Sequence, residues 1–352
     1  MSQASSPASL NRWARDMAKS FAARTGGVRL YHRLRDREAL TVIMLHRVLP
    51  KALYAEHEPD PDYTITTDVL ERLVRFLRGN YAIVGLPELL EARRGTRPLP
   101  PHPLLISFDD GWDDNVRYAA PILAAQGTPW ALFVAAGAVA TGAPWWQETL
   151  LLALRSGRAP YGDLWDMATA GTGADKEPGG NRELALLHAY GALEPGRRDG
   201  LLARVCERKS GADMADWNGL RGLLGTQAGI GVHGFSHLPL TMIDNPGEDL
   251  LQARDLVRSN LGPDSVVSMS FPHGRYDAKV LAATRALGFE LIFTSDAVLN
   301  ACPGGWLPYD TIGRISVEAV NVCDPWGEFD PGRAERWLML RKRQTAALGA
   351  SS

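Results

Sequence analysis

Apolar and polar positions alternate in blocks along most of the chain, and the blocks predict strands and helices in turn. Residues 41–46 (TVIMLH) read as a buried strand, because a strand covered on both faces shows an unbroken apolar run. Leu70, Leu73, Val74 and Leu77 recur at three- and four-residue steps, the apolar face of a helix. Asp68 followed by Glu71 resembles the capping box that starts it. A strand at 81–86, a short helix from Pro87, the strand 104–108, a helix over 113–126 and the strand 130–135 follow. After residue 228 the rhythm resumes with strand 230–233, helix 248–261 and strand 266–271, then helix 277–287, strand 291–294 and a final strand at 312–317. Strands alternating with helices argue for an α/β fold with a parallel sheet, either a barrel or doubly wound.

Residues 141–225 break this rhythm. The stretches 145–156, 182–190, 195–209 and 213–224 look helical, with a Gly-rich loop at 169–181 between them. Strands flank the region on both sides, so it reads as a helical insertion into the sheet domain of residues 41–320. Residues 321–352 form an irregular segment that ends in a helix at 332–348, with Arg333, Arg336, Arg341, Lys342 and Arg343 expected on its exposed side.

Residues 1–40 form a third unit. Eight basic residues stand there against three acidic ones, and Leu10, Trp13, Met17 and Phe21 make a helical apolar stripe. Two readings fit: an interfacial helix resting on anionic lipid, or a helix packed on the domain with a solvated basic face. The remaining composition is that of an ordinary globular chain, with 45% hydrophobic and 22% charged residues and a formal net charge of −2 over 352 residues. That balance gives no argument for a nucleic-acid partner. The N-terminus lacks the apolar core of a signal peptide, so a cytoplasmic location is expected, peripheral to the membrane if the basic helix binds it. Cys206, Cys302 and Cys323 form no CxxC pair and indicate neither a thiolate metal site nor a disulfide framework.

Two short stretches about 120 residues apart carry the chemistry. The strand 104–108 runs into adjacent carboxylates, Asp109 and Asp110. The segment 231–237 (GVHGFSH) places His233 and His237 four positions apart, which on a helical turn brings both rings to one face. One carboxylate and two imidazoles make a three-ligand metal site with positions left open, and the second carboxylate is then free to act as a base. Taken singly, Asp-Asp-Gly after a strand is usually a polar turn, and two histidines four apart are common by chance. Their joint occurrence in a chain of eight histidines favours the site. Active groups of parallel α/β proteins gather at the carboxyl ends of strands, where His46 and the segment 271–277 (FPHGRYD) also fall. Trp145 and Trp146 can stack on a sugar ring, though adjacent tryptophans opening an apolar helix are more often core.

These residues resemble the polysaccharide deacetylases, a carbohydrate esterase family whose fold is a distorted (β/α)7 barrel. Phe108–Gly111 is similar to the family's first motif and His233-Gly-Phe-Ser-His237 to its second. Phe271-Pro272-His273-Gly274 resembles the third, and Gly313-Arg314-Ile315 the fourth, over roughly residues 40–320. The resemblance implies Asp110, His233 and His237 as ligands of a divalent metal, zinc first, with cobalt, nickel or iron also suited to such donors. It implies Asp109 as the base, Arg314 as its orienting partner, and Pro272 and the backbone N–H of His273 at the oxyanion. The family's late histidine, which protonates the leaving amine, is missing. A subset with permuted motif order carries that histidine early, and Leu45-His46-Arg47-Val48 fits it, so His46 becomes the expected acid with His273 as rival. Ser270 stands where many members have an arginine. The reaction implied is removal of an N-acetyl group from a glycan or glycolipid. Two alternatives keep the fold: a deformylase or deacetylase acting on a lipid-linked sugar at the membrane face, and a silent carbohydrate-binding protein.

Overall fold

Every residue of the first strand, β1 (Ala39–Leu45), is buried, as an unbroken apolar run requires when both faces are covered. The computed structural model describes residues 26–57, 59–142, 146–155, 157–171, 182–205, 213–344 and 346–349. The stripe Leu10, Trp13, Met17 and Phe21, together with Trp145, Cys206 and most of the loop 169–181, lies outside the described residues.

β1 pairs in parallel with β2 (Pro103–Phe108), Ile43 lying opposite Ile106. The order continues through β3 (Trp130–Val134), β4 (Ala228–Val232), β5 (Ser268–Ser270), β6 (Leu291–Phe293) and β7 (Thr311–Ile312), each parallel to its neighbour. β8 (Ile315–Ser316) then returns to β1, with Ile315 opposite Ile43. One short segment, 311–316, thus meets β6 at its start and β1 at its end, while Gly313 and Arg314 between them interrupt the ladder. The result is the expected distorted (β/α)7 barrel, with no continuous ladder across its last seam.

Period-two alternation divides the core into two layers. Leu40, Val42, Leu105, Phe133, Leu291 and Phe293 cluster inside the barrel. Ile43, Ile106, Leu132 and Val134 face outward, against Leu70, Leu73 and Leu77 of helix Thr67–Asn80 and Leu250 and Val257 of helix Pro246–Leu261. Each such Leu, Ile or Phe contributes about 1.5–3 kcal/mol when fully buried. That surplus lets one rim of the barrel hold buried charge.

Several local expectations are corrected. Asp68 does not cap its helix: Thr66 occupies the cap position without a side-chain bond, and Asp68 pairs instead with Lys51 at 3.0 Å. The helix expected over 113–126 is a π segment, Asn115–Ala119, followed by Ala120–Ala125, where Pro121 has no N–H to give the preceding turn. The terminal helix is shorter, Pro331–Met339. The chain beyond it supplies strand Lys342–Arg343, parallel to Val298–Ala301, which itself pairs antiparallel with the start of β1. Arg333, Arg336 and Arg341 are consequently half-buried, and Lys342 and Arg343 alone of that group are exposed.

Between β3 and β4, helices Trp146–Arg155, Tyr161–Thr169, Arg182–Gly191 and Pro195–Val205 surround a core of their own built on Leu150, Leu164, Leu186, Tyr190 and Leu202. The helix Tyr161–Thr169 was hidden in the sequence by Pro160 and Gly162 at its start. No described helix is long and apolar enough to cross a membrane.

Candidate active site

β2 delivers two carboxylates to the rim with opposite directions. Asp109 still donates its N–H to Leu45 O at 3.0 Å, continuing the ladder with β1. Asp110 then turns through φ 81°, a left-handed conformation sparsely populated outside glycine. His237 and His273 share it, at φ 54° and 56°, and among the described residues only His102 joins them as a non-glycine residue of positive φ. Strain of this kind gathers where the surrounding structure holds functional side chains in place.

The two histidines meet at a loop, not on a helical turn. His233 follows β4 directly, and residues 234–237 are bends and irregular backbone whose reversal brings the rings to 5.1 Å. Asp249, on the helix after the loop, accepts from the N–H groups of Phe235 and Ser236, both at 2.9 Å. From the other side Ala136 N donates to Gly234 O at 3.0 Å and Gly137 N to Phe235 O at 3.2 Å. Gly137 is needed for that approach, since a Cβ there would stand 2.6 Å from Phe235 O. Pro272 supports the same loop: a Cβ on Gly234, itself at φ 73°, would come within 3.0 Å of the proline ring.

Held this way, His233 Nε2 and His237 Nε2 lie 3.4 and 3.2 Å from the same oxygen, Asp110 Oδ1. All three residues are buried, and their donor atoms fall within 4.8 Å of one another. The outer partners are those that metal ligands ordinarily have. Trp112 Nε1 donates to Asp110 Oδ2 at 2.9 Å, and His233 Nδ1 is tied to Ser270 through its Oγ at 2.6 Å and its carbonyl at 3.1 Å, which turns Nε2 towards Asp110. Burial works to raise the Asp110 carboxyl, but the bonds to His233 and His237 hold it well below the usual range. An ionised carboxylate between two imidazoles fits a divalent cation, which needs its ligands deprotonated.

Asp109 sits beside this cluster and is gripped from the opposite side. Arg314 Nη1 and Nη2 donate to its two oxygens at 2.6 and 2.8 Å, and Arg314 is fully buried, with its Nε on Thr294 O at 3.0 Å. Burial pushes Asp109 up, yet the charges of Arg314 and His233 and the bonds from Arg314 hold it below its ordinary value. Ser270 Oγ also donates to Asp109 Oδ1 at 3.3 Å. The serine that stands where an arginine was expected therefore links Asp109 to His233.

His46 follows β1 directly on this rim, edge-on to Tyr63 with ring centroids 4.9 Å apart, and its charge is among those that lower Asp109 and Asp110. Its backbone is fixed by Asn115 Nδ2, which donates to His46 O at 2.7 Å. Asp114 next to it accepts from Val48 N at 3.0 Å and Arg47 Nε at 2.9 Å, and the Arg47 guanidinium lies over the Trp112 ring at 4.1 Å. Burial outweighs these donors and pushes Asp114 up to about 6. His273 donates from Nε2 to His237 O at 3.1 Å. Burial, then the neighbouring His237, lower it to about 3, so it stays neutral.

The structure thus brings Asp109, Asp110, His233, His237, His273, Pro272, Arg314 and His46 to one rim. Trp146 goes elsewhere. It packs against the core of the insertion, with the Arg198 guanidinium 4.8 Å over its ring. Trp112, Asp114, Asn115 and Asp249 are additions that sequence reasoning missed. Trp112 and Asp114 follow the Asp-Asp-Gly stretch at once and could have been weighed with it. Asp249 acts from a different element and left no spacing signal.

Residues 202–292 match the family model described as polysaccharide deacetylase, a span that includes both histidines of the loop and His273 but not Asp109. No curated protein matches the chain. Among solved structures it is similar to the Streptococcus pyogenes deacetylase PplD in complex with acetate, at 12% identity and a TM-score of 0.55, over 85% of this chain and 98% of that one. It is similar to IcaB from Ammonifex degensii, at 18% identity and a TM-score of 0.54, over 86% and 97% of the two chains. A de-N-acetylase from Aggregatibacter actinomycetemcomitans gives 16% and 0.53, over 78% and 94%. At these identities the likeness speaks for the fold. With the family model matched over residues 202–292 and the fold shared over most of the chain, the resemblance carried by the motifs is to the polysaccharide deacetylase family.

Proposed function

We propose that this chain is a metal-dependent hydrolase that removes an N-acetyl group from a carbohydrate amide, releasing acetate and a free amine. The observation that carries the reading is the buried cluster of Asp110, His233 and His237 beside an Asp109 whose two oxygens are braced by Arg314. A divalent ion held by Asp110, His233 and His237, zinc first and cobalt, nickel or iron as alternatives, would polarise the amide carbonyl and acidify water.

The protein's own groups divide the rest of the work. Asp109, kept ionised by Arg314 and fixed in orientation by two hydrogen bonds, takes the proton of the attacking water. His46 gives a proton to the leaving nitrogen, without which the adduct returns to substrate. His273 is a poor donor, because it is neutral and its Nε2–H is committed to the His237 carbonyl. His273 and Pro272 instead shape the wall against the acyl group.

A second reading, a deacetylase or deformylase of a lipid-linked sugar, is favoured by helix Gly27–Arg35, which exposes Leu30 and Leu34. The test of the first is acetate release from N-acetyl sugars of increasing length by protein stripped of metal and reloaded. Asp109→Asn should bind metal almost normally and lose nearly all turnover, since an amide cannot accept the proton. Turnover by stripped protein equal to that of reloaded protein, or activity of Asp109→Asn within a few-fold of wild type, overturns the assignment.

A further inference from the structure

A second polar site lies outside the barrel and has no part in the amide chemistry. Arg333 and Arg336 on helix Pro331–Met339, Arg341 just beyond it, the Trp337 indole and Val320 line a cleft of about 440 Å³. Three guanidiniums there have little to neutralise them. Arg333 reaches Asp330 only at 4.0 Å, and the neighbouring acid Glu335 is taken by Arg29 at 2.8 Å. Among the described residues no carboxylate comes within ion-pair distance of Arg336 or Arg341.

Arg341 is the most telling. Its guanidinium stacks 3.8 Å from the Trp337 ring centroid and its Nε donates to Trp337 O at 2.7 Å, but its Nη2 is buried with no acceptor. A buried donor left unmade costs about 1–3 kcal/mol and more on a charged group. Burial also lowers Arg341 from the ordinary arginine value, with no carboxylate opposing it. An anion in the cleft would offset the charge of this guanidinium.

We propose that this cleft binds a phosphate monoester or diester, its oxygens taken by Arg336 and Arg341 and its organic part laid against Trp337 and Val320. A tetrahedral phosphate offers more acceptor oxygens than one carboxylate, enough for several guanidinium forks at once. Two further features belong to the same face. Helix Gly27–Arg35 packs alongside, with Arg35 Nη2 donating to Met339 O and Arg341 O at 3.3 and 3.0 Å, and exposes Leu30 and Leu34 by 59% and 78%. Trp337 Nε1 donates to Ser316 O at 2.7 Å, two residues beyond Arg314, so the cleft and the rim share β8. The phosphate is therefore that of a lipid headgroup or of a soluble phosphorylated sugar.

The experiment titrates the full-length protein with inorganic phosphate and glycerol 3-phosphate by calorimetry. In parallel it is co-sedimented with vesicles of phosphatidylcholine alone or mixed with phosphatidylglycerol. At least one phosphate probe should bind, and Arg336→Gln should weaken it about tenfold or more. Arg341→Gln should do the same, and Arg336→Gln guards against misfolding in that variant, since Arg336 makes no hydrogen bond to a described residue. His237→Ala, which leaves the cleft intact, should bind phosphate as wild type does, and Arg336→Gln should still deacetylate a neutral N-acetyl oligosaccharide. Binding of soluble probes alone supports a phosphorylated small molecule, and binding of anionic vesicles alone supports a lipid headgroup. No binding of any probe, or binding lost in His237→Ala and kept in Arg336→Gln, overturns the proposal while leaving the deacetylase reading untouched.

Discussion

Arg314 and Asp109 meet through two hydrogen bonds of 2.6 and 2.8 Å, one to each carboxylate oxygen, with both side chains buried. A lysine cannot reproduce that fork. Arg314→Lys should keep the charge but lose one of the two bonds, cost about 1–3 kcal/mol of stability, and let burial raise Asp109. The acidic limb of the pH–rate profile should then move to higher pH. An unchanged limb in a folded Arg314→Lys protein would show that Arg314 does not tune Asp109.

His237→Ala removes one of the three side chains, Asp110, His233 and His237, whose ligand atoms lie within 4.8 Å of one another. Metal content and activity should fall together, measured by elemental analysis and acetate release on the same preparation. Full metal occupancy in the variant contradicts the ligand assignment.

His46→Ala should slow an unactivated amide about 10²–10⁴-fold, the usual worth of a positioned acid. An activated ester, whose leaving group needs little protonation, should suffer far less. Equal loss on both substrates removes His46 from the acid role.

Asp114 provides a pH signature in stability. Its folded-state value of about 6 lies above the ordinary carboxyl value of 3.8, so between about pH 4 and 6 the native state holds the proton and the unfolded chain does not. By linkage, stability falls as pH rises through that window, by up to about 3 kcal/mol, and stays level above it. Urea midpoints of Asp114→Asn should lack this fall. If the variant keeps the wild-type slope, Asp114 is not its source.

Gly137→Ala places a methyl 2.6 Å from the Phe235 carbonyl, which is backbone and cannot swing aside. The loop bearing His233 and His237 must shift, and a shift of a few tenths of an ångström suffices to spoil a three-ligand geometry. Metal affinity should drop more than the melting temperature. A variant with wild-type affinity would show the loop to be freer than these contacts indicate.

The parts of this molecule legible in the sequence are those fixed by local chemistry. β1, β2 and β3 announce themselves as apolar runs because they are covered on both faces, and the motif residues lie at strand ends where polar groups interrupt those runs. What stayed hidden depends on partners distant in the chain. The final strand expected at 312–317 is two two-residue strands, β7 and β8, too short for the break at Gly313 and Arg314 to show in a period, and Val298–Ala301 finds its place only by pairing with β1. Asp249 acts on backbone that its own helix pattern does not reveal. Trp146 reads more readily as core than as a sugar platform, and the three-dimensional company of Arg198 and the insertion decides for core.

The interrupted seam at Gly313 and Arg314 has a consequence for the timing of assembly. Ile315 closes on Ile43 across some 270 intervening residues, so the loop-closure entropy of nearly the whole domain is spent before that contact forms. The cation that orients Asp109 sits on that last piece. During synthesis the cation-binding trio can therefore gather around a base that still lacks its counter-charge. A chain ended before residue 311 should bind the ion and leave the amide intact, so that segment 311–316 is the one that converts a binding protein into a catalyst.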